Sequence, residues 1–118
     1  MTLFKFLKSG PFRVRTPDRD RKADTVRLAR LHAFLEQFRA DIMREYDGLR
    51  ARHESVSERA AFSQQALEEG PIDAVMSAQV DDLTVAMIRC AQRLKALEHQ
   101  IAFVTGMLGE AERFPLET

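Results

Sequence analysis

A chain of 118 residues with zero net formal charge has room for one domain of ordinary size, and its single cysteine, Cys90, rules out an internal disulfide framework. Its five Gly and four Pro lie mostly near the ends or in one central cluster, Trp is absent, Tyr occurs once, and 31% of residues are charged, which favours long helices over a β-sandwich. No apolar run approaches the roughly 20 residues of a membrane span, and the start lacks the apolar core and cleavage site of a secretory leader, so a cytoplasmic location is expected.

The balanced charge conceals an asymmetry. Residues 1–30 carry nine basic and three acidic groups, a net +6, leaving −6 for the rest. Within this head, Gly10, Pro11 and Pro17 oppose a continuous helix, so residues 1–22 are expected to form a partly disordered basic arm, with at most a helical turn over Leu3 to Lys8. Lys5, Lys8, Arg13 and Arg15 interleave there with Phe4, Phe6, Leu7 and Phe12, a pattern suited to an anionic membrane or a nucleic-acid backbone. The alternatives are a solvated tail, or an arm folded onto the acidic body or a partner's groove.

From about 24 to 69 the apolar rhythm runs Leu28, Leu31, Leu35, Phe38, Ile42, Tyr46, Leu49, His53, Val56, Ala60, Ser63 and Leu67, in steps of three and four. That spacing places one face of a long helix against another helix. Two successive steps of four between Phe38 and Tyr46 resemble a stutter, which relaxes supercoiling without breaking the helix. Asp20 or Asp24 is the expected N-cap.

At residues 69–72 the chain is expected to reverse. Gly70 suits a left-handed residue after the helix end, Pro71 suits the first turn of the next helix, and Asp73 sits where a carboxylate favours the helix dipole. So short a connection brings the helices back antiparallel; the alternative is one helix kinked at Pro71. The second helix, about 72 to 112, carries Val80, Met87, Leu94, Ile101 and Leu108 every seven residues. Met76, Leu83, Cys90, Leu97, Val104 and Ala111 form the companion series. The predicted fold is therefore all-α: an antiparallel two-helix coiled-coil hairpin with a basic N-terminal arm.

Several large apolar residues fall off these seams: Val26, Phe34, Met43 and Phe62 on the first helix, and Val75, Val85, Ile88 and Phe103 on the second. Each forfeits roughly 1.5 to 3 kcal/mol if left in water, so a further neighbour is expected. The simplest is a second hairpin, giving a homo-oligomeric four-helix bundle, or else a larger protein partner. Long Arg and Lys stems covering them is the alternative. Val85, Ile88 and Phe103, with the arm residues Phe4, Lys5, Phe6, Lys8, Phe12, Arg13 and Arg15, are the candidate partner-binding positions.

Chemistry-bearing patterns are weak. His32, His53 and His99 show neither the Glu-x-x-His spacing of di-iron bundles nor a pair at spacing four for zinc. His53 on the seam reads as a register-fixing polar residue, and Cys90 as a small apolar filler. Gly106 and Gly109 are expected to fray the end of the second helix. No phosphate-binding loop or dinucleotide fingerprint occurs, so neither enzyme activity, cofactor, metal nor small-molecule substrate is expected. In outline such a hairpin with a basic start resembles the stalk proteins and small chaperones of bacterial secretion and flagellar export. That likeness lies in architecture alone and implies an accessory protein acting on a larger assembly. The expected function is thus a non-enzymatic interaction protein or adaptor. A peripheral binder of anionic membrane or nucleic acid through the arm is the alternative.

Overall fold

The computed structural model of the chain describes residues 16–70 and 73–116. Two helices, α1 (Pro17–Glu69) and α2 (Ala74–Arg113), pack against each other as a hairpin, and no strand occurs among the described residues. Its principal extents are 98 × 24 × 14 Å. The smallest of these is little more than a helix diameter, so the hairpin is one helix thick.

Helix α1 begins earlier than the sequence pattern suggested. Pro17 takes the first helical position, where its missing N–H deprives the helix of nothing. Thr16 Oγ1 accepts the backbone N–H of Arg19 at 3.3 Å, while Asp18 and Asp20 occupy the first turn, at the positive end of the helix dipole. The cap is therefore Thr16, not Asp20 or Asp24, and residues 17–22 belong to α1 rather than to the arm. The arm positions Phe4, Lys5, Phe6, Lys8, Phe12, Arg13 and Arg15 lie outside the described residues.

The turn also departs from expectation in its detail. Gly70 closes α1 by donating its N–H to Ala66 O at 3.0 Å, but its φ of −112° and ψ of −178° are extended rather than left-handed. Pro71 supplies the reason, since the proline ring drives the preceding residue into the extended region. Asp73 then caps α2, its Oδ1 accepting the N–H of Val75 at 2.9 Å, so α2 starts at Ala74 and not at 72. Pro71 and Ile72 lie outside the described residues. At the far end α2 runs through Gly106 and Gly109 to Arg113 without fraying. Val104 and Leu108, 1% and 4% exposed, bracket Gly106 and hold that turn down.

Packing is uneven along the hairpin. Leu35, Ile42, Leu97, Val104 and Leu108 form the buried cluster, flanked by Tyr46, Leu49, Ile101 and Met107. All lie in the half carrying the chain ends; among the described residues of the half nearer the turn, only Val80 is buried. Every position of the two α2 ladders is buried or partly buried. Two α1 positions placed in the seam are not: Leu31 and Phe38 are each 46% exposed. A single partner helix covers only a narrow stripe, and these two side chains rotate to its edge. No helix among the described residues is long and apolar enough to cross a membrane.

Candidate interaction surface

Because the hairpin is one helix thick, the seam opens onto two flanks, and these differ in chemistry. On one flank polar side chains join the helices. Tyr46 Oη donates to Glu98 Oε1 at 3.0 Å, Arg39 Nη1 donates to Thr105 Oγ1 at 3.2 Å, and His32 Nε2 lies 3.2 Å from Glu112 Oε1. Positions 32, 39 and 46 descend α1 in steps of seven while 112, 105 and 98 ascend α2 in the same steps, as antiparallel helices in fixed register require. The hydrogen bond to Glu98 favours the neutral phenol and raises the Tyr46 pKa above its usual value, with desolvation adding to it. His32 Nδ1 also lies 3.0 Å from Glu36 Oε1, so both ring nitrogens face carboxylates, and only the protonated ring donates to both.

The other flank is different. Among the described residues one polar link crosses it, where Arg93 Nε and Nη2 donate to the two oxygens of Glu45 at 2.8 and 3.1 Å. These hydrogen bonds hold the Glu45 carboxyl below the usual carboxylate range and raise the guanidinium pKa of Arg93. Both side chains are about half exposed, so solvent screens the pair.

One heptad from Glu45 toward the chain ends, the same flank turns apolar. Phe38, His99, Gln100, Phe103, Val104 and Met107 line an open groove of about 400 Å³. Phe34 stacks on Phe38 with ring centroids 6.0 Å apart and a 34° tilt, extending the groove wall. Leu31 continues that wall, three residues before Phe34 on the same helical face. Phe34 is 64% exposed and Phe103 68%, values far from those of core aromatics. None of the six lining residues carries a carboxylate, ammonium or guanidinium group.

Of the described candidate positions, Phe103 joins this groove. Val85 and Ile88 are exposed, as expected, but stand on the order of 25 Å back along α2 at about 1.5 Å per residue and do not line this groove. Val26, Met43, Phe62 and Val75 are likewise exposed. Phe38 and Met107 escaped the sequence reading, the first because it was counted in the seam. The Phe34 and Phe38 pair at spacing four was the available signal for a ridge beside the seam. His53 and Cys90 are partly buried on the seam. Among the described residues no cluster of three or more His, Cys, Asp or Glu side chains is disposed to hold a metal.

No family model matches the chain, no curated protein matches it, and no solved structure matches it.

Proposed function

We propose that this chain is a helical interaction protein that binds a protein partner by helix packing along its apolar flank. The observation that carries this reading is the open groove in which Phe38 faces Phe103 and Met107, with the exposed Phe34 packed on Phe38 and the exposed Leu31 one heptad before Phe38. Isolated exposed apolar residues are ordinary on protein surfaces, whereas a contiguous aromatic patch marks an interaction site. Large aromatic side chains also dominate binding energy where they enter a partner's pocket. A larger assembly, such as those served by the stalk proteins whose outline this hairpin shares, is one class of partner.

The test is site-specific photocrosslinking in the native cell, with a benzophenone amino acid at Phe103 or at the exposed outer residue Lys95. Protein adducts concentrated at position 103 are expected. Equal or absent adducts at the two positions dismiss the reading.

A second reading rests on the charge split: the +6 head contacts a polyanion. Replacing Lys5, Lys8, Arg13 and Arg15 by Gln should then weaken binding to anionic vesicles or duplex DNA in a salt-dependent way. Unchanged binding removes this alternative.

A further inference from the structure

The geometry points to a second copy of this chain as the occupant of the apolar flank, two hairpins pairing about a two-fold axis so that the Phe34 and Phe38 ridge of each enters the other's groove beside Phe103. This inference rests on the interaction reading above and names its partner.

Area favours it. An aromatic side chain offers about 150 to 250 Å² for burial, so the exposed fractions of Phe34, Phe38 and Phe103, 64, 46 and 68%, leave on the order of 350 Å² of ring surface per copy. With Leu31, 46% exposed, two copies bring together about 900 Å² of apolar surface. Interfaces are only some 56 to 65% apolar, so a core of this size implies a total near 1,500 Å², within the range of stable specific pairs. A two-fold arrangement uses each contact twice, which is how a patch too small for one-sided docking reaches that size.

Charge agrees with this. Several rim charges beside the groove have partners within the chain: Asp41 with Arg44 and Gln37, Glu45 with Arg93, and Glu110 with Arg113. Bringing two copies together therefore leaves these rim charges already neutralised, which lowers the desolvation cost of pairing. The layer count agrees as well. A hairpin one helix thick buries one stripe per helix, and a second layer supplies the facing surface that such a stripe lacks.

The deciding measurement is the solution mass of the purified full-length chain by size exclusion with light scattering, with helicity followed by circular dichroism. The expected mass is twice 13.5 kDa. Phe34→Glu and Phe103→Glu should each weaken the dimer at least tenfold while helicity persists, and Ala78→Glu, exposed in the half nearer the turn, should leave it intact. A wild type that stays at 13.5 kDa at about 100 µM overturns self-pairing. So does a dimer indifferent to both groove variants. A dimer lost on Phe4→Ser with Phe6→Ser but kept in the groove variants overturns it in favour of the arm. A monomer that still gives adducts to another protein at position 103 sinks the self-pairing alone, whereas loss of all adducts there sinks the interaction reading itself.

Discussion

The phenol of Tyr46 donates a 3.0 Å hydrogen bond to the carboxylate of Glu98 on the facing helix, and beneath it the same ring packs against the buried cluster. Polar link and apolar floor thus meet at one residue, at the boundary between the well-packed half of the hairpin and the sparsely packed half. The hydrogen bond raises the Tyr46 pKa in the folded chain, so its stabilisation is complete below the ordinary tyrosine range and fades as pH rises through the folded value. Thermal melts of wild type and Tyr46→Phe should differ at neutral pH and converge in strong alkali. A gap independent of pH excludes this role.

The acid limb belongs to Glu45. Its folded carboxyl is held below the usual range by Arg93, so the pair's stabilisation is present above the unfolded carboxylate pKa and disappears as pH falls through the folded one. Glu45→Gln should lower the melting temperature slightly at neutral pH and not at all in strong acid. Because both partners are half exposed, the neutral-pH difference should shrink in 1 M salt.

Leu97, 1% exposed, is the floor of the cluster, and Leu97→Ala should cost about 2 to 5 kcal/mol. Leu83 sits in the turn half and is only partly buried, so Leu83→Ala should cost less, roughly 1 to 2 kcal/mol. Urea titrations followed by circular dichroism compare the two; equal losses contradict the uneven core.

Gly48 and Gly106 lie inside helices with open space where a side chain would stand, nothing from elsewhere in the fold lying within 4 Å of it. Alanine at either should stabilise the chain by roughly 0.5 to 1 kcal/mol, because it restricts the unfolded backbone and meets no neighbour. A fall in melting temperature for Gly106→Ala shows that the end of α2 is not the continuous helix described.

The early start of α1 has its own test. Thr16→Ala removes the acceptor for the Arg19 N–H and should cost about 1 kcal/mol locally. Amide exchange at Arg19 to Arg21 should quicken, with residues near Ile42 unaffected.

The hairpin itself was legible because a period of seven over several turns has one physical reading, and Leu97, Val104 and Leu108 lie where that period puts them. Features set by neighbouring residues or by side-chain reach were harder to read. Pro17 looked like a helix breaker because its role changes with one position of context: after a capping Thr it starts a helix. Gly70 looked left-handed until the constraint from Pro71 was taken into account. Leu31 and Phe38 satisfied the spacing rule but were displaced to the edge, since periodicity fixes a face and not how much of it one partner covers. The links from His32, Arg39 and Tyr46 to Glu112, Thr105 and Glu98 were spaced by heptads in plain view. Recognising them requires the register, which the sequence specifies only once the turn is placed.

Concentrating the buried cluster at the end where the chain begins and finishes has a kinetic consequence. A hairpin that zips outward from its turn gains little from its first pairings, because Leu83, Met87 and Cys90 are only partly buried there. The buried cluster joins Leu35 and Leu108, which are far apart in sequence, so entropy must be spent closing a long stretch of the chain before it is complete. This long-range topology is unusual for so helical a molecule and should slow its folding relative to bundles whose best contacts lie beside their loops.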